Sequence, residues 1–126
     1  NIPGIVGFAK ACELADNSLD EHIEKLSRLR DKLIEGVLEN IDDVVVNGSR
    51  DKRHPGNANF AFKYIEGEAI LLMLDSYGIQ GSTGSACTTA SLETSHVLSA
   101  LGISHELSNG SLRLTVGDLT NEEDID

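Results

Sequence analysis

The feature that most limits what this chain can fold into is the run from Ser18 to Asn40, in which Leu19, Ile23, Leu26, Leu33 and Val37 recur at helical spacing. That spacing puts them on one stripe of a helix, and the stripe needs an apolar surface to lie against. Ser18 with Glu21 reads as a capping box that opens this helix. Its outer face pairs Glu21 with Lys25 and Glu24 with Arg28, solvated pairs worth about 0.2–0.5 kcal/mol each. Upstream, Pro3 to Ala15 predicts a separate helix, in which Ile5, Val6, Phe8, Ala9, Cys12 and Leu14 surround nearly the whole circumference. Such a helix wants cover on several sides, and Cys12 within it reads as a small buried hydrophobe with no chemistry.

Short strands supply the surface that the long helix needs. Val44, Val45 and Val46 make one, ended by Asn47 and Gly48, and Phe60, Phe62 and Tyr64 alternate on one face of a second. In a third, Leu112, Leu114 and Val116 alternate with Ser111, Arg113 and Thr115, so Arg113 points away from the apolar face. Arg50, Lys52, Arg53 and His54 lie in a polar loop that reads as solvated. The segment from Gly67 to Tyr77 is so apolar that it predicts a core helix closed at Gly78. The expected fold class is α+β, with helices packed on one side of a small, mainly antiparallel sheet.

At 126 residues and 40% apolar, one domain is expected, and a net charge of -11 argues against a nonspecific grip on nucleic acid or an anionic membrane. Two cysteines without a CxxC pair indicate neither a disulfide scaffold nor a zinc ribbon, and a reducing, cytoplasmic setting is expected. No run approaches the ~18 apolar residues of a membrane span. The chain begins NIPGIV without Met and stops at TNEEDID just after a Thr120–Glu123 capping box, which predicts a piece of a longer protein.

The stretch from Gly81 to Gly102, GSTGSACTTASLETSHVLSALG, carries the chemistry. Its Gly, Ser, Thr and Ala content predicts an exposed, mobile loop over Gly81 to Thr89 that displays Cys87 rather than packing it. Val97, Leu98 and Leu101 then take helical spacing, with Gly102 where a left-handed cap falls. Cys87, His96 and His105 fall nine residues apart, but without CxxC or HxxxH spacing no metal site is expected.

The motif GSACTTASLETSHVLSALG resembles the active-site loop and following helix of the cysteine desulfurases of class V aminotransferase type. The likeness is to the group whose long loop reads SSGSACxSxxxxPSxVLxAxG. Ser82 to Ala90 match except at Thr83, Thr88 and Thr89, and Thr94 stands where that group usually has proline. NIPGIVGFAKA resembles the segment that follows a GTxN motif, PGNANFAF resembles PxxxNxSF with Ala61 replacing the serine, and Glu66–Glu68 repeats an EGE helix start. SLRLTVGDLTNEEDID resembles SIRxSLGRxTTEEEID, with Asp118 in place of the second arginine.

The resemblance implies the C-terminal small domain of a fold-type I pyridoxal 5'-phosphate enzyme, with 1–40 as a helical connector and 41–126 as the α+β core. The large domain that binds the cofactor would be absent, and none of Lys10, Lys25, Lys32, Lys52 or Lys63 stands in the SxHKxxGPxG context of the Schiff-base lysine. Cys87 would accept sulfur from L-cysteine as a persulfide with release of L-alanine, and would serve at most as a transient iron–sulfur ligand. Arg113 would clamp the substrate carboxylate. Asn59 would contact or support the substrate end, a turn or strand-edge asparagine being the other reading. An iron–sulfur scaffold or a tRNA-thiolation acceptor would take the sulfur from a homodimeric enzyme. A noncatalytic sulfur carrier or interaction module, and a related class V aminotransferase or lyase, are the alternatives.

Overall fold

In the computed structural model, residues 1–83 and 95–126 are described. The element order is α1 (Ile2–Asn40), β1 (Val44–Val46), β2 (Asn57–Phe62), α2 (Gly67–Ser76), α3 (His96–Ala100), α4 (His105–Asn109) and β3 (Ser111–Thr115). The strands form an antiparallel sheet in the order β1-β2-β3. No helix among the described residues is long and apolar enough to cross a membrane.

The two helices expected before Ile41 are one. Asn1 caps it, its Oδ1 accepting from Gly4 N–H at 3.1 Å, and the helix continues for 39 residues. Ser18 caps nothing: its hydroxyl donates back to the Leu14 carbonyl at 3.0 Å, a bond made inside a continuous helix. With neither Gly nor Pro between Ala15 and Ser18, nothing compels a break there.

A helix of that length spans about 58 Å, far more than three short strands can cover. Cover is therefore confined to its C-terminal half. Leu26 and Leu29 pack with Val116, joined by Leu33 and Ile125. Ile34 packs with Ala58 and Phe60, joined by Val37, Val44, Val46, Phe62 and Leu114. In the N-terminal half Ile2, Ile5, Val6, Phe8, Leu14 and Leu19 are exposed, and so is Cys12, contrary to the buried position expected for it.

Further departures have local causes. Tyr64 does not extend the aromatic alternation, because β2 ends at Phe62 and Tyr64 turns into the left-handed region at φ 64. In α2 only Gly67 is buried while Leu72 and Met73 face outward, so this helix is not core, although it packs against β3. Lys25 and Arg28 leave their expected helix partners: Lys25 Nζ donates to the Asp118 carbonyl at 2.5 Å, and Arg28 pairs with Glu122. Thr120 opens no helix. Its Oγ1 accepts from Gly117 N–H at 3.0 Å, and Asn121 Oδ1 takes the capping bond from Glu123 N–H at 2.8 Å within a turn.

Two glycines are required where they stand. Gly102, at φ +76, ends α3 as expected: its N–H bonds the Ser99 carbonyl and that of Ile103 bonds Leu98, both at 3.0 Å. Gly110 lies against β2, where an added Cβ would sit 1.9 Å from the Phe62 carbonyl oxygen.

Candidate functional site

The site grows from the register of the sheet. Asn59 of β2 is the direct cross-strand partner of Arg113 of β3. Antiparallel partners project from the same face with Cβ atoms about 4.5–5.5 Å apart, so register alone brings these two sequence-predicted residues together. On the far side of Arg113 lies Ser82, which exchanges both backbone bonds with it: Ser82 N–H to the Arg113 carbonyl at 3.1 Å, and Arg113 N–H to the Ser82 carbonyl at 2.7 Å. Beyond Asn59, Asn47 extends the β1–β2 ladder by one step, its N–H donating to the Asn59 carbonyl at 2.8 Å. A polar row, Asn47–Asn59–Arg113–Ser82, thus crosses the sheet on the face opposite α1.

Part of this row lines a cleft of about 390 Å³, which Asn47, Asn59 and Arg113 share with Arg53, Lys52 and His96. Arg113 is exposed and Asn59 half-buried, as residues that must meet a ligand would be. Cys87 lies outside the described residues, as does most of the loop expected over Gly81–Thr89. The described chain stops at Thr83, one residue past the Ser82–Arg113 bridge and ahead in sequence of the segment that carries the thiol. On the other side that segment rejoins the described chain at Ser95, which also lines the cleft. A larger concavity, about 940 Å³ between the C-terminal half of α1 and the chain's last residues, contains none of these groups.

Arg53 is the residue that sequence reasoning missed. Expected in a solvated loop, it is half-buried and donates to the carbonyls of Ser49 (2.7 Å), Asn57 (3.3 Å) and Asn47 (2.5 Å). Burial, and then the nearby charges of Arg30 and Arg50, hold its guanidinium below the ordinary arginine value. The pattern R-x-P-G at Arg53–Gly56 gives no hint of this, because the acceptors are backbone atoms set by the turn. Arg53, Lys52 and Arg113 make the cleft a cationic place on a chain of net charge -11, and its donors suit an anion.

Asp118, which inverts the charge of the resembling motif, does not line this cleft. Its carboxylate meets His22 Nδ1 at 2.5 Å, tying the strand end to α1. His96 and His105 begin different helices, α3 and α4. Among the described residues no group of three His, Cys, Asp or Glu could hold a metal.

The described residues do not form a pyridoxal phosphate site. The cleft offers no carboxylate to pair a pyridinium nitrogen and no Phe, Tyr or Trp to stack on the ring. Of the lysines, Lys10 pairs with Glu13, Lys32 with Glu122 and Asp126, and Lys63 with Asp43, while Lys25 caps Asp118.

Comparison with known proteins identifies the family. Residues 1–126 match the aminotransferase class-V family along their whole length, and the chain belongs to that family. It is 52% identical over 125 residues to the cysteine desulfurase IscS of Dictyoglomus turgidum, covering 99% of this chain and 32% of that protein. With the cysteine desulfurase IscS of Methanosarcina thermophila it shares 51% over 126 residues, covering 100% and 31%. Among solved structures, a NifS-like protein superposes with a TM-score of 0.84 at 29% identity, covering 100% of this chain and 31% of that one. A NifS-like protein from Rickettsia africae gives 0.83 at 25% identity, covering 99% and 32%. The chain therefore spans about a third of the length of these relatives.

Proposed function

We propose that this chain is the small domain of a pyridoxal phosphate-dependent cysteine desulfurase, supplying the sulfur acceptor and part of the substrate grip. The observation that carries the reading is the pairing of Asn59 with Arg113 beside Ser82, five residues ahead of Cys87 in the sequence. Two relatives named as cysteine desulfurases, at half identity over nearly the whole chain, support it.

The chemistry divides between two parts. Pyridoxal phosphate, when bound by the whole protein, supplies the electron sink that labilises the substrate. This chain's residues bind, orient and accept. The planar fork of Arg113 holds the carboxylate of L-cysteine in two parallel hydrogen bonds, with Asn59 alongside. The Cys87 thiolate forms an S–S bond to the substrate sulfur as the carbon–sulfur bond breaks, and the electron pair stays with carbon, which is protonated and leaves as L-alanine. The product is a persulfide on Cys87, handed on to an iron–sulfur scaffold or another sulfur acceptor. A cytoplasmic homodimer is the assembly in which this domain works.

The test uses the full-length protein carrying this sequence. The wild type should release alanine from cysteine and form a persulfide, while Cys87→Ala keeps the cofactor's absorption spectrum and loses sulfur delivery to an acceptor by orders of magnitude. Undiminished sulfur delivery by that variant would remove Cys87 from the mechanism. Sulfur retained on Cys87 without alanine in proportion would mark a carrier instead.

A further inference from the structure

Asn47 is almost fully buried, at 3% exposure, and is bound on three sides. Its N–H donates to the Asn59 carbonyl at 2.8 Å, its carbonyl accepts from Arg53 at 2.5 Å, and its side-chain Nδ2 donates to Asn59 Oδ1 at 2.7 Å. Its own Oδ1 is buried with no partner among the described residues. A buried acceptor left unpaired is unfavourable, so a serine or an apolar residue would serve packing alone at least as well. What an asparagine adds here is the donor held against Asn59.

That donor settles which end of the Asn59 amide is free. An amide has one acceptor and one NH2 end. With Oδ1 engaged by Asn47, the end left to Asn59 is the NH2, and Asn59 lines the same cleft as Arg113. Arg113 has no acceptor atom, so the pair presents donors only. A carboxylate, which accepts at both oxygens, suits such a pair, whereas an Asn59 turned the other way would set its carbonyl oxygen against the same anion. We propose that Asn47 is a positioning residue for the substrate carboxylate, acting through the amide orientation of Asn59; this rests on the functional reading above.

The side chains allow a direct test in the full-length enzyme with cysteine varied. Asn47→Asp is nearly isosteric but can only accept, so it draws the Asn59 NH2 to itself and turns the Asn59 oxygen to the cleft. The KM for cysteine should rise about ten-fold, with kcat at saturation within about two-fold of wild type. In an Asn59→Ala background the same change should leave KM where Asn59→Ala alone puts it, because Asn47 then has nothing to orient. Asn47→Ser, which buries no charge, should raise KM in the same direction, and it keeps the test open if the aspartate variant does not fold. An unchanged KM in both Asn47 variants, or an equal rise with Asn59 already removed, would overturn the role of Asn47 while leaving the desulfurase reading standing. A wild type that releases no alanine from cysteine would overturn that reading, and this role with it.

Discussion

The two faces of the three-stranded sheet use the same backbone ladder for opposite ends. On the face toward α1, Ala58, Phe60 and Leu112 are buried, and Ile34 and Leu29 of the helix close over that side of the sheet. On the other face, positions set by the same register carry Asn47, Asn59, Arg113 and Ser82. Alternation along a strand makes the difference obligatory, since each residue that faces the core fixes its neighbours outward. The apolar face therefore positions the polar one: Phe60 and Leu112, themselves cross-strand partners, hold Asn59 and Arg113 in register from behind.

If that division is right, damage to the two faces should read out differently. The largest loss of stability should follow Phe60→Ala, because Phe60 is fully buried and the cavity cannot collapse between a sheet and a helix. Chemical denaturation of the full-length variant should show a loss of about 3–5 kcal/mol. Gly110→Ala should come next. Its Cβ would meet the Phe62 carbonyl, and the strand must shift, at a cost of about 1–3 kcal/mol by the same measurement. A Phe60→Ala variant as stable as wild type would mean that the apolar face does not hold the sheet.

Much of this division was legible in the sequence. The alternation Leu112–Arg113–Leu114 announced an arginine on the far face, and the stripe ending at Val37 announced the helix that covers the near one. Register was not legible: that Asn59 faces Arg113, rather than sitting a step away, depends on where β2 and β3 begin and end. Arg53 and Asn47 escaped notice for a related reason, since their partners are backbone atoms and an amide brought near only by the turn after β1. The unity of α1 was hidden by a capping-box pattern at Ser18, which a continuing helix can host with the hydroxyl turned back on Leu14. Burial at Cys12 was misjudged because apolar residues around a helix state a need for cover, and only the C-terminal half of α1 finds it within this chain.

The central claim is that Arg113 serves the polar face and not the fold, and Arg113→Lys tests it most directly. Lysine keeps the charge and loses the planar fork, so stability should stay within about 0.5 kcal/mol of wild type while the KM for cysteine rises about ten-fold or more in the full-length enzyme. An unchanged KM and turnover, measured with cysteine varied, would contradict the assignment of the substrate carboxylate to Arg113.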